Sequence, residues 1–227
     1  MSEYDKSAEI RNRLPLKITE ITVQKKNQDR FSLFHEGNFL IGVSAKTFSD
    51  FSLQKGVELT PSLFDDISES ENRHAVKESA LRYLGRSDHP SGELMRKLQA
   101  KGFEESAIRI VIGELTDRGY IDDDSFAVTF AREKVEFNKW GPNKIRAALF
   151  KKKLPKDSIE KAIRRSSENL QQEQICVDLV LKRKNHFLRE DDLFKRKQKI
   201  YNYLAGRGFS IPVIKKSLPL IIDALDA

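Results

Sequence analysis

Three kinds of residue in this sequence could do chemistry: the carboxylate run Asp122-Asp123-Asp124, one thiol at Cys176, and lysines and arginines crowded into the C-terminal half. Adjacent carboxylates can hold Mg²⁺ for phosphodiester hydrolysis, a nuclease reading that Asp123→Asn would test. The run follows Gly119-Tyr120-Ile121 and opens a helical pattern. Carboxylates there cap free N–H groups and oppose the helix dipole, so capping is the expected role. Asp191-Asp192 is placed to do the same further along. The sequence carries no GxxxxGK[ST] phosphate loop, no HExxH, no CxxC pair and no nucleophile elbow. His35, His74, His89 and His186 are scattered without ligand spacing. The sequence therefore predicts a binding protein: not an enzyme, with no cofactor and no metal.

The cations carry more information. Net charge is +7, but between Lys139 and Lys216 there are 21 Lys/Arg against 8 Asp/Glu, a balance of +13 that leaves −6 elsewhere. Such asymmetry points to a polyanionic partner met by the C-terminal half. Lys144 and Lys151 lie seven residues apart on one helical face, with Arg146 between them, and Lys152 and Lys153 extend the patch. Lys182-Arg183-Lys184 precedes a second group, where Lys195, Lys199 and Tyr203 recur at i, i+4 and i+8 with Arg196 beside them and Arg207 beyond. Cations around an aromatic ring suit a phosphate backbone and an unstacked base. An acidic protein groove would attract the same patch, so both partners stay open at this point. Trp140, beside Gly141-Pro142, is expected to plug a gap between helices.

The elements that must position these residues can be read from periodicity. Leu16–Val23 alternates with β-branched residues throughout; after the polar turn KKNQD, two apolar runs flank His35-Glu36-Gly37-Asn38, a hairpin turn with Gly37 at positive φ. Three short strands are predicted over 16–44, then a short helix or turn (AKTFSDFSL) and an acidic linker (FDDISESEN). Beyond Ser68 the spacing is helical and repeats. Segments 93–112, 144–163 and 199–218 align without gaps. Leu94, Ile145 and Ile200 correspond, as do Leu98, Leu149 and Leu204, then Phe103, Leu154 and Phe209, then Ile108, Ile159 and Ile214, then Ile112, Ile163 and Leu218. Apolar residues at i and i+4 mark the buried stripe of one helix. Lys101-Gly102 and Arg207-Gly208 then supply a C-terminal cation and a left-handed glycine cap. Lys153 replaces that glycine in the middle segment, so its turn is expected to close by another geometry.

A longer amphipathic stretch precedes each helix pair, at about 70–86, 123–138 and 170–187, giving nine helices. The predicted fold is mostly α: three tandem three-helix, helix-turn-helix-like repeats in an elongated, curved array behind a small β-hairpin or three-stranded N-terminal region. The expected divisions are 1–67 (β-rich region and linker), 68–121, 122–168 and 169–227. At 39% hydrophobic and 33% charged, the chain has much surface for its core. It lacks a membrane-length apolar run, its start (MSEYDKSAEIRNR) lacks the apolar stretch of a signal peptide, and one cysteine fits a reducing compartment; the expected location is the cytoplasm.

From about Ala75 to Leu220 the chain resembles the RecX family of bacterial recombination regulators. The matching passages are ALRYLGRSDHPSGELMRKLQAKGF, LTDRGYIDDDSFAVTFAREKV and WGPNKIRAALFKKKL, with Gly119-Tyr120-Ile121-Asp122-Asp123 and Phe126-Ala127 the most specific. The N-terminal strands fit longer family members. Lys153 stands where the family usually has glycine, and the third unit has a longer first spacer. The resemblance implies three tandem three-helix repeats and a protein that binds RecA and its filament on single-stranded DNA. It implies restraint of RecA's ATP hydrolysis, strand exchange and co-protease action, the last being the trigger of the SOS response. Weaker direct DNA contact is also expected; the lack of a membrane-length apolar run predicts no membrane partner, and the repeat architecture points to a monomer. The alternatives are a helical protein acting on naked DNA without RecA, which predicts strongly salt-dependent binding, and the Mg²⁺ nuclease above.

Overall fold

The computed structural model describes residues 3–25, 27–167 and 171–226, with side chains from residue 8 onward. Lys26 of the predicted KKNQD turn, the start of the predicted 170–187 helix and the 168/169 repeat boundary lie outside the described residues. The chain folds as two compact units. One runs up to Arg86 and takes in Met95–Glu114; the other holds Ser87–Leu94 and the chain from Leu115 on.

The first unit begins with helix α1 (Glu3–Arg13), strands β1 (Leu16–Lys17), β2 (Glu20–Gln24), β3 (Asn27–His35) and β4 (Asn38–Ser44), helix α2 (Ala45–Asp50), strand β5 (Glu58–Leu59) and helix α3 (Pro61–Leu84). β2, β3 and β4 form an antiparallel sheet whose β3–β4 turn places both Glu36 and Gly37 at positive φ, 46° and 77°. The predicted Leu16–Val23 strand is split. Ile18 is buried and its N–H donates to the Val57 carbonyl, while the N–H of Thr19 donates to Phe34. The chain thus changes partner there, β1 pairing with β5 and β2 with β3.

The expected acidic linker is helical instead. Thr60 caps the Leu63 N–H and Pro61 sits in the first turn of α3. Phe64 and Ile67 then join Ile18, Leu33, Leu40, Val43, Leu53 and Leu59 in one core, so apolar burial overrides the polar composition of the segment. Glu71, on the same helix, accepts from the Ser44 N–H (2.7 Å) and pairs with Arg30 (2.9 Å). Burial alone would raise its pKa; the Thr47, Ser44 and Arg30 partners outweigh that and hold the carboxyl below its usual range.

Three three-helix repeats follow in sequence. The first is α3, α4 (Ser91–Gln99) and α5 (Glu105–Asp117); the second is α6 (Asp123–Glu136), α7 (Pro142–Lys151) and α8 (Lys156–Ser167). In the third, α9 (Gln172–Leu181) and the short α10 (Lys184–Leu188) together stand where the other repeats have one helix, followed by α11 (Leu193–Gly206) and α12 (Ile211–Asp226). The single helix predicted over 170–187 is therefore broken at Lys182-Arg183. Of the aligned apolar positions, all are buried except Phe103 and Leu218, which are half-buried. Lys153 corrects a second expectation. It adopts φ 64°, the left-handed conformation of Gly102 (86°) and Gly208 (92°), so the middle turn closes like the others. A lysine there bears a strain that glycine would not. Among the described residues no helix is long and apolar enough to cross a membrane.

Within the second unit, the turn between the last two helices of one repeat docks on the first turn of the preceding repeat's middle helix. Gly141 donates to the Arg207 carbonyl (2.8 Å) and Asn143 to the Gly208 carbonyl (3.0 Å). These bonds cap α7, whose N-cap has no side-chain bond of its own. A Cβ on Gly141 would meet backbone atoms of Gly208 and Phe209 closer than 3.0 Å, so only glycine permits this approach. Gly92 stands equally close to Lys153, and the Asp123 carboxylate accepts from the Ser91 N–H (2.8 Å) and hydroxyl (2.6 Å).

Candidate partner-binding surface

The acidic run divides into three structural jobs. Asp122 caps α6 by accepting from the Ser125 N–H (2.9 Å), Asp123 caps α4, and Asp124 pairs with Lys161. The hydrogen bond from Lys161, the largest influence, and one from Ser158 hold the Asp124 carboxyl below its usual range. Asp192 caps α11 at the Lys195 N–H (3.0 Å). Among the described residues no group of three or more His, Cys, Asp or Glu gathers as a metal site would.

The predicted cations separate into bound and free. Arg146 makes a two-pronged pair with Glu160 (2.7 and 3.1 Å) and also donates to Asn143 (2.9 Å). Lys152 pairs with Glu93 (2.7 Å) and lies 5.4 Å from the Phe126 ring. Lys199 pairs with Glu190, whose carboxyl that hydrogen bond holds below its usual range. Arg196 is not a surface cation at all. Its side chain is 13% exposed, donates to the Glu190 carbonyl (2.9 Å) and faces Asp226 (3.6 Å).

Two aromatic rings draw further cations inward. Lys144 lies 4.7 Å and Lys134 5.6 Å from half-buried Trp140, which packs against the core of the second repeat as the expected plug. Arg183 and Arg207 lie 5.2 and 5.9 Å from half-buried Tyr203, and the Nε of Arg207 is buried without a hydrogen-bond partner. Tyr203 is thus a packed ring under two guanidiniums, tilted against Phe187 (5.6 Å), rather than an open platform for a base.

Lys151, Lys153, Lys182, Lys184 and Lys195 have no side-chain ion pair among the described residues, and of these only Lys184 is half-buried. They lie at the end of α7 and around α10 and α11. Two exposed aromatics that the sequence reading missed stand beside them: Phe150 (69% exposed) next to Lys151, and Phe194 (79%) next to Lys195. Both fall off the buried stripe of their helix, five residues after Ile145 and six before Ile200. A helical projection locates them, whereas a search for charge does not.

This order of elements matches known proteins throughout. Residues 16–60 match the regulatory protein RecX N-terminal domain, and 77–115, 122–163 and 171–218 match the first, second and third RecX three-helix domains. The chain belongs to the RecX family. It is 30% identical to the regulatory protein RecX of Clostridium beijerinckii over 213 residues, 91% of this chain and 98% of that one. It is also 30% identical to the regulatory protein RecX of Staphylococcus carnosus over 204 residues, 89% and 74% of the two chains. A crystal structure of regulatory protein RecX shares the fold with a TM-score of 0.74 at 23% identity, over 88% of this chain and 98% of that one. RecX from Lactobacillus salivarius superposes at 0.60 with 26% identity, over 69% and 98%. The cations of this surface all lie within the residues that match the second and third RecX three-helix domains.

Proposed function

We propose that this chain acts in the cytoplasm by binding RecA and the filament RecA forms on single-stranded DNA, and restrains ATP hydrolysis, strand exchange and co-protease action. Membership of a regulatory family supports the partner. The observation that carries the contact surface is that, of the lysines predicted to bind, Lys151, Lys153, Lys182, Lys184 and Lys195 stay unpaired among the described residues, with exposed Phe150 next to Lys151 and exposed Phe194 next to Lys195. Desolvated aromatic anchors ringed by charge are the usual composition of an energetic centre in an interface. Lys144, Arg146, Lys152, Arg196, Lys199, Tyr203 and Arg207 hold the repeats in shape and present the free residues. Arg183 belongs to both groups, exposed as a residue while its guanidinium lies over Tyr203.

Three repeats in tandem allow contacts with more than one filament subunit, and linked weak contacts gain through effective concentration. Docking blocks filament growth or the incoming duplex, and shifts subunits away from the turnover state by binding the other state more tightly. Direct contact with DNA is weaker, and the active form is the monomer. The test is RecA's single-strand-dependent ATPase, titrated with this protein at sub-stoichiometric ratios beside a naked-DNA binding curve. Inhibition well below one molecule per RecA is expected, and is lost with Lys151→Glu, Lys182→Glu, Lys184→Glu and Lys195→Glu combined. Unchanged inhibition by that variant, or no inhibition together with tight naked-DNA binding, refutes the proposal.

A further inference from the structure

A cavity of about 370 Å³ opens in the second unit, where α6 faces the end of α8 and the start of α9. It is lined by Val128, Val135, Ile175 and Ser166, with Arg132, Lys139, Arg165 and Glu136 around it. Val128 and Val135 pack on the core of the second repeat and Ile175 on that of the third. The three aliphatic side chains are half-buried and the four charged ones exposed. None of Arg132, Lys139 and Arg165 forms an ion pair among the described residues. Arg165 does act on Asp124, but that carboxylate is already paired with Lys161. Among the described residues, the charged groups around the cavity thus number three cations and one carboxylate.

Lys139 adds a second observation. Its φ is 51°, the left-handed conformation at the end of α6, and its N–H donates to the Val135 carbonyl (3.1 Å). Glycine is the residue that takes this position without strain. Strain of this kind gathers at binding sites, where the side chain is what the position retains.

We propose that this cavity is a docking site for an acidic segment of a partner protein that inserts one apolar side chain between carboxylates. The volume lies at the low end of ligand pockets, about 300–1,000 Å³, which fits one large side chain and little more. The aliphatic floor rewards an inserted apolar group through burial. Arg132, Lys139 and Arg165 then take the flanking carboxylates in charge-assisted hydrogen bonds. A nucleic acid fits less well. Among the described residues no aromatic ring lines the cavity to stack a base, and phosphate would meet an apolar floor. The site shares no residue with the lysine surface above, so it stands or falls apart from the RecA reading.

The experiment uses the full chain with ¹³C-labelled Val and Ile methyl groups. It is titrated with the capped peptide Asp-Glu-Phe-Glu-Asp, with the same peptide carrying Ser for Phe, and with an oligo-dT strand. Saturable shifts of the Val128, Val135 and Ile175 methyls are expected with the Phe peptide. Binding should be at least about tenfold weaker with Ser. It should weaken by a similar factor in the double variant Arg132→Gln/Arg165→Gln, whose residues are exposed and in no ion pair among the described residues, so its melting curve should stay close to the parent's. The proposal is overturned by equal binding of the two peptides, by oligo-dT shifting these methyls in preference, by a double variant that binds the Phe peptide normally, or by the absence of saturable shifts.

Discussion

Gly102 and Gly208 occupy the same turn in the first and third repeats, with φ of 86° and 92°, yet replacing each with alanine should have unequal consequences. Left-handed strain is common to both and costs about 1–2 kcal/mol. A Cβ at Gly102 meets nothing within 4 Å, so strain is its whole cost. A Cβ at Gly208 would lie closer than 3.0 Å to the Lys144 backbone nitrogen and Cβ and to the Gly141 carbonyl oxygen. Those atoms form the first turn of α7, held by the Gly141–Arg207 and Asn143–Gly208 hydrogen bonds, and cannot swing aside as a flexible side chain could. Overpacking of this kind costs a further 1–3 kcal/mol, roughly. Gly208→Ala should therefore cost about 2–5 kcal/mol against about 1–2 kcal/mol for Gly102→Ala. Urea unfolding decides it. Trp140, the sole tryptophan, adjoins Gly141 and reports the second unit, while far-UV dichroism reports all helices. With a slope of about 2 kcal/mol per molar urea, Gly208→Ala should lower the Trp140 midpoint by about 1–2.5 M. Equal destabilisation by the two substitutions would refute the docked-turn reasoning, because strain alone would then account for both.

Three further outcomes follow from the same structure. Glu71 has its pKa depressed in the folded state, so its contribution is full above the unfolded carboxylate value of about 4.3 and is lost as pH falls through the folded value. Thermal melts of the parent should fall steeply on acidification, and Glu71→Gln, less stable at neutral pH, should show a flatter acid limb; parallel curves would contradict this. Burial pushes the Cys176 thiol up to about 11, against a small opposing effect of Ser217. Its alkylation by iodoacetamide at mildly alkaline pH should then be about two orders of magnitude slower in the native chain than in urea, and comparable rates would show an open site. Arg146→Gln breaks the Glu160 pair, which is partly exposed, and should lower stability by no more than about 1 kcal/mol; Lys151→Gln should leave stability unchanged within about 0.5 kcal/mol. Calorimetry separates them, and an equal loss would mean Lys151 is held by the fold.

The repeat was legible because burial imposes period on sequence. Leu98, Leu149 and Leu204 are all fully buried, and no other face of those helices could have carried them. The Asp122 and Asp192 caps were legible for a similarly local reason, since an N-cap bonds within three residues of itself. What stayed hidden depends on contacts distant in sequence. The helix through 61–69 forms because Phe64 and Ile67 meet a core drawn from residues 18–59, while of the acidic residues between them Asp66 is exposed and Asp65 pairs with Arg11. The split of the Leu16–Val23 strand needs Val57 and Phe34. Lys153 misled for the opposite reason: its turn requires left-handed geometry whichever residue is present, and the chain accepts strain there.

The candidate surface shows the same division at the level of charge. Counting lysines and arginines locates a basic half, but a charge can act on a partner only if the fold has not already neutralised it. Arg146, Lys152, Arg196 and Lys199 have carboxylate or carbonyl partners that lie 14, 59, 6 and 9 residues away in sequence. Breaking such a pair to serve a partner would forfeit the interaction already made, so these four contribute less to binding than unpaired lysines at equal exposure. Their work is geometric. Glu160 holds α8 to α7 through Arg146, and Glu190 holds the turn before α11 through Lys199 and Arg196. Of the cations assigned to the proposed surface, Lys151, Lys153, Lys182, Lys184 and Lys195 therefore keep their charge free among the described residues, with exposed Phe150 beside Lys151 and exposed Phe194 beside Lys195 along the chain. A partner that read charge alone would bind every polyanion. Apolar anchors among the free lysines add a requirement that bulk polyanions do not meet, which favours a shaped protein surface over bare phosphate.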